Sequence, residues 1–172
     1  MKKLHHIVSI LLGVVFVLSG VGKALNVLAF QQLIHSYGYP YIDLLAPIII
    51  LVELLLGALL MCRERVKTMS LLSGILLLLF TGVYTYGYAR QGITDCGCFG
   101  AAQVVKWPAW AVYVRNIVLL VFANYLYLSA SDEPTQWTRT KRIIMGIYLA
   151  IGIFLTGIAR SEERRVGKEC RS

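Results

Sequence analysis

The sequence predicts an all-α, polytopic transmembrane helix bundle, with a four-helix core and a truncated fifth helix, and three observations carry the prediction. Hydrophobic residues make up 58% of the chain and mean hydropathy is +0.68, too apolar for an ordinary water-soluble domain. Five apolar stretches approach the roughly 17–25 residues that a spanning helix needs. Lysine and arginine gather in alternate connections between those stretches, as the positive-inside rule requires.

The first stretch, Ile7–Val21, follows Lys2 and Lys3, and it extends through Phe30 if the apolar character resuming at Val27 belongs to the same helix. A basic start before an apolar run also describes a secretory signal peptide. No clean small-x-small cleavage site follows, so a retained helix is the reading adopted. The second, third and fourth stretches are Leu44–Cys62, Met69–Tyr88 and Pro108–Ser129. The fifth, Ile143–Ala159, is short and stops where the composition changes abruptly. Arg160–Ser172 resembles the in-frame translation of a sequencing-library adapter and reads as a non-native tail, the alternative being a genuine basic juxtamembrane tail. Residues 1–159 then form a single transmembrane domain. Setting the tail aside removes Cys170 and leaves Cys62, Cys96 and Cys98.

Orientation follows from the charges in the short connections. Lys2, Lys3, Arg63, Arg65, Lys67, Arg139, Lys141 and Arg142 belong to one side, against a minority of Lys23, Arg90, Lys106 and Arg115 toward the other. The amino terminus is therefore cytoplasmic, in a bacterial inner membrane, and the connection after the third stretch faces the periplasm. Tyr37, Tyr39, Tyr41, Tyr84, Tyr86, Tyr88, Trp107, Trp110 and Tyr113 all fall toward that outer face, where aromatic residues anchor at the membrane boundary. A quinone or substrate platform is the sharper alternative for them.

Three ionisable groups lie where lipid makes them costly: Lys23 at the outer end of the first stretch, Glu53 in the middle of the second, and Arg115 about a turn into the fourth. Glu53 lies about 15 Å along a helix from Asp43, at 1.5 Å per residue. Either cation has a long enough side chain to reach it. A tether between helices is the plain reading, and a proton-carrying or redox-supporting group is the sharper one. Gly57, one turn beyond Glu53, allows another helix to approach closely.

The chemistry concentrates in Asp95-Cys96-Gly97-Cys98-Phe99-Gly100. Thiols at i and i+2 reach the Cα separation of a disulfide, roughly 4.4–6.8 Å, only if the chain bends between them. Gly97 permits the bend. Such a small ring is strained, and strained exposed disulfides are the labile, oxidising kind, suited to thiol–disulfide exchange. Arg90 or Lys106 would favour the thiolate, whereas Asp95 would oppose it and could accept a proton. Either sulfur could attack. Cys62, at the opposite membrane face, reads as a bystander. His5 and His6 sit at the amino terminus, while His35 falls in the first outer connection. A metal site built from His35, Asp95, Cys96 and Cys98 is conceivable, but its spacing does not match the Cys-x2–4-Cys of structural zinc, so no metal is assigned. Phosphate-binding glycine loops and basic arrays for nucleic acid are absent from the sequence.

These residues resemble the methylamine utilisation MauE-like membrane proteins, which are related to the DoxX-like four-helix proteins. The marks are Ser19-Gly20-Val21-Gly22-Lys23, Phe30, Glu53 with Gly57, the Asp-Cys-Gly-Cys-Phe-Gly string at 95–100, and Arg115-Asn116, spanning roughly Leu11 to Ser129. The chain departs from the family pattern at Ala101-Ala102, where an acidic residue is common. The resemblance implies a redox-associated membrane protein, its namesake being tied to maturation of a disulfide-rich periplasmic dehydrogenase subunit. The expected catalytic residues are Cys96, Cys98 and Asp95, with Lys23, Glu53, Gly57, Arg115 and Asn116 as intramembrane structural residues. The expected partners are the lipid bilayer and an exported thiol or disulfide protein, with no nucleic acid. No cofactor is evident. Two other readings stay open, a non-catalytic scaffold or assembly factor and a quinone-linked DoxX-type oxidoreductase.

The charge pattern yields a topology that a fusion can check. A reporter joined after Gly100 is expected to be active only outside the cytoplasm, and cytoplasmic activity there would reverse the orientation.

Overall fold

The computed structural model describes residues 2–25, 27–36, 45–92 and 108–130, together with residues 143, 146–148, 150, 153, 154 and 157. Asp95, Cys96 and Cys98 lie outside the described residues, as does the tail from residue 160. Five helices follow in chain order: α1 (Lys2–Ala24), α2 (Val27–Ser36), α3 (Ala46–Met61), α4 (Val66–Gln91) and α5 (Ala109–Ser129). The described residues of the fifth apolar stretch are also helical, and no strand occurs among the described residues.

The chain departs from its expected course after α1. Leu25 turns, so the first helix does not run on through Phe30, which belongs to the separate helix α2. His35, expected in a connection, lies in the last turn of α2. Val27, Phe30 and Ile34 fall on one face of α2 and bury themselves against Ala46, Ile50 and Leu54, which recur every fourth residue along α3. That matching periodicity is what makes residues 27–36 a helix rather than a loop.

Local chemistry sets the other ends. Pro47 lies in the first turn of α3, where its missing N–H costs nothing, and Pro108 precedes α5 in extended conformation. Gly92 closes α4 at φ 65°, and its N–H donates to the Tyr88 carbonyl at 3.2 Å. The turn between α3 and α4 is less relaxed. Arg63 and Arg65 there have φ of 57° and 43°, in the left-handed region where side chains cost about 1 kcal/mol or more each.

α1, α3, α4 and α5 alternate in direction. Ser9 near the start of α1 donates to the Leu60 carbonyl near the end of α3 at 2.8 Å, and His5 meets Tyr125 of α5 with ring centroids 5.3 Å apart. At the other end Tyr113 of α5 donates to Thr85 of α4 at 3.1 Å. Val8, Leu12 and Phe16 of α1 share one core with Leu60, Val66, Leu77, Leu119 and Leu126.

α1 and α3 touch backbone to backbone. A Cβ on Gly57 would lie 2.8 Å from the Gly13 carbonyl oxygen and 2.9 Å from the Val17 nitrogen, and one on Gly13 would lie 2.8 Å from the Gly57 oxygen. Helices approach this closely in lipid because dispersion and direct polar contacts, not water exclusion, hold them together. By length and apolarity α1, α4 and α5 can cross a membrane, while α3 is a shorter apolar helix. At 1.5 Å per residue the 16 residues of α3 cover about 24 Å and the 26 of α4 about 39 Å. The outward side chains of α4, among them Leu71, Leu72, Ile75, Leu78 and Leu79, are exposed on the bundle surface, where acyl chains would cover them.

The glycine contact makes a stability prediction. Gly57→Val must push backbone away from backbone, and it is expected to lose about 1–3 kcal/mol, the range for overpacked cores. Gly82→Ala, whose Cβ meets nothing within 4 Å, is expected to be neutral or up to about 1 kcal/mol stabilising, because alanine is the better helix former. Thermal unfolding of the detergent-solubilised protein compares the two.

Candidate functional site

The polar centre of the bundle is an ion pair. Lys23 Nζ and Glu53 Oε1 are in direct hydrogen-bonded contact, and their side chains are 3% and 1% exposed. α1 delivers the lysine because a helical side chain leans toward its own amino terminus. From the last turn of α1 the ammonium therefore points down into the bundle, toward Ser19 one turn earlier. Lys23 Nζ donates to Ser19 Oγ at 3.0 Å, and Ser19 Oγ donates to Glu53 Oε2 at 3.3 Å. Both carboxylate oxygens thus have partners.

Two aromatic rings complete the surroundings of the ammonium. Its nitrogen lies 4.7 Å from the Phe80 centroid on α4 and 5.4 Å from the Phe30 centroid on α2. A desolvated cation over a ring face gains up to about 2 kcal/mol. Lys23 therefore joins α1, α2, α3 and α4. Phe80 was not distinguishable from ordinary apolar filler by chemistry, whereas Phe30 and Ser19 were singled out only as marks of the family resemblance, with no role attached.

Beside the pair is a cavity of about 30 Å³, walled by Ser19, Glu53, Phe80, Arg115, Asn116 and apolar side chains that include Phe16. It has room for a water or two, far below the roughly 150 Å³ that a benzene-sized ring fills. Arg115 Nε and Nη2 donate to the Oδ1 of adjacent Asn116 at 3.3 and 3.0 Å. Asn116 Nδ2 in turn donates to Thr81 Oγ1 at 2.9 Å, which ties α5 to α4. Glu53, Arg115 and Asn116 are thus brought around one volume, with Lys23 joined to it through Glu53, while Gly57 lies one turn along α3 at the contact with α1.

From Asn116 a polar ladder climbs toward the far ends of α4 and α5. The Thr85 hydroxyl donates to the Thr81 carbonyl at 2.7 Å, and Tyr113 donates to Thr85 Oγ1. Tyr84, 2% exposed, packs against Tyr113 with centroids 5.5 Å apart and stacks on Tyr88 at 6.2 Å. The hydroxyls of Thr81 and Thr85 both end on backbone carbonyls, at Leu77 and Thr81. A carbonyl does not pass a proton on, so the ladder fastens the helices and is not a proton wire. Among the described residues no buried side-chain nitrogen or oxygen lacks a hydrogen-bond partner.

No three His, Cys, Asp or Glu side chains converge among the described residues. His35 is exposed at the end of α2, and Cys62 is half-buried at the carboxyl end of α3, where its N–H donates to the Ala58 carbonyl at 2.9 Å. The segment that holds Asp95, Cys96 and Cys98 joins the carboxyl end of α4 to the start of α5. In comparisons with known proteins, the family model for methylamine utilisation protein MauE matches residues 1–129. No curated protein and no solved structure matches.

The ion pair predicts an asymmetry between single and double changes. Glu53→Gln leaves the Lys23 ammonium buried without its counter-charge, and it is expected to cost about 3–5 kcal/mol. Lys23→Met with Glu53→Leu removes both charges and is expected to recover most of that loss. Equal stability of wild type and Glu53→Gln in thermal unfolding would show that the pair does not hold the bundle.

Proposed function

The chain belongs to the methylamine utilisation protein MauE family, and from that membership we propose that it exchanges thiols and disulfides with an exported protein through Cys96 and Cys98. The family description gives methylamine utilisation as the setting. Within it the chain reads as a multi-pass protein of the bacterial inner membrane, amino terminus inside, that assists maturation of a partner outside.

The observation that carries the reading is the Asp95-Cys96-Gly97-Cys98 string in the connection between α4 and α5. The end of the bundle reached by that connection is opposite the one with Lys3, Arg63, Arg65 and Lys67, so the charge pattern assigns it to the oxidising compartment. The step balances without a cofactor. One thiolate attacks a partner disulfide, a partner sulfur leaves as thiolate, and a mixed disulfide forms. The second cysteine, its proton taken by Asp95 or water, attacks that bond. The partner is then reduced by two electrons and Cys96 and Cys98 are joined. Run in reverse, the same steps oxidise the partner.

The polar centre supports this reading as a frame. Lys23, Glu53, Arg115 and Asn116 brace the helices that bear the reactive connection, and the cavity beside Glu53 is too small for a quinone ring. The same satisfied centre is what a non-catalytic assembly factor would have, which makes that the second reading.

Removal of either thiol distinguishes the two. In Cys96→Ser or Cys98→Ser the remaining thiol lacks its resolving partner, so a reductant-sensitive adduct with an exported protein is expected to accumulate. No adduct in either variant, with unchanged phenotype in both, would favour the assembly factor.

A further inference from the structure

We propose that the turn between α3 and α4 is a binding site for the phosphate headgroup of an anionic phospholipid, held by Arg63, Arg65 and Lys67. The first observation is the backbone. Arg63 and Arg65 both have left-handed φ, 57° and 43°, where glycine or asparagine would sit without strain. The turn is held in that shape by the Arg63 N–H on the Leu60 carbonyl at 3.1 Å and the Glu64 N–H on the Leu59 carbonyl at 3.0 Å. Two strained residues of the same charge in one turn point to a use for their side chains.

The second observation is what the strain achieves. Glu64, between the two arginines, is 7% exposed, whereas Arg63, Arg65 and Lys67 are all exposed. The turn therefore sorts its charges, acid inward and bases outward. Lys3 is exposed at the same end of the bundle, to which the Ser9 to Leu60 hydrogen bond draws the start of α1.

The third observation sets the depth. Lys67 Nζ lies 5.4 Å from the Tyr127 ring centroid, and Tyr125, two residues earlier in α5, meets His5. Tyrosines and lysines at the ends of spanning helices mark the headgroup level. Guanidinium groups there face phosphodiesters, which they bind with paired N–H donors. Phospholipid is the occupant already present at that depth, and its charge complements the turn.

The test uses the full-length protein in phosphatidylcholine vesicles with and without phosphatidylglycerol. Phosphatidylglycerol is expected to raise the melting midpoint of the wild type, and inorganic phosphate added to phosphatidylcholine vesicles is not. Arg63→Gly with Arg65→Gly suits the left-handed backbone, so it should melt no lower than wild type in phosphatidylcholine alone. It should lose most of the phosphatidylglycerol increment and bind that lipid roughly 30-fold more weakly in a native mass spectrometry titration, about fivefold per surface cation. If the glycine pair does not fold, Arg63→Asn with Arg65→Asn takes its place. An undiminished increment in the charge-less variant, or an equal increment from inorganic phosphate, would overturn the proposal.

Discussion

One ammonium and one carboxylate, both withdrawn from water, decide how four of the five helices sit together. Lys23 brings α1 to Glu53 on α3, and the rings over its nitrogen come from α2 and α4. A carboxylate in the middle of an apolar helix has few tolerable surroundings, and here one cation and one hydroxyl take both oxygens. The glycines at 13 and 57 serve the same arrangement. By letting α1 and α3 meet backbone to backbone, they bring Lys23 within reach of Glu53, one turn from Gly57 along the same interface.

This arrangement divides labour along the bundle axis. The interior is tied, by the ion pair and by the Asn116 to Thr81 bond, and the Thr81 and Thr85 hydroxyl protons end on main-chain carbonyls. The exchange proposed for Cys96 and Cys98 needs such a frame more than a connection through it, because disulfide exchange is complete in itself. The lipid contact proposed for the charged turn lies at the other end. The two proposals are therefore independent, and each can be tested without the other.

Much of this was legible in the sequence, for identifiable reasons. The places of the apolar helices were, because lipid demands long apolar runs, although α1 and α4 extend beyond those runs. Glu53 stood out because a lone acid among leucines has no bland explanation in lipid. Its partner was not decidable, since Lys23 and Arg115 both have the reach and only the packing of α1 on α3 selects between them. α2 was missed because the apolar run resumes at Val27 with no Pro in between, and the period of Val27, Phe30 and Ile34 gains meaning only against α3. Phe80 carried no signal, being one apolar residue in an apolar helix. The i+2 thiol spacing is the opposite case, since its meaning is chemical and can be read without any fold.

The unequal lengths of α3 and α4 shape the surrounding membrane. The two helices are joined by a short turn at the basic end and start level there, so the roughly 15 Å by which α4 exceeds α3 emerges at the opposite end. Among the described residues α3 is thus the shorter wall and α4 the taller one. A bilayer accommodates such a step by thinning on one flank and thickening or tilting the helix on the other, at a fraction of a kcal/mol per Å.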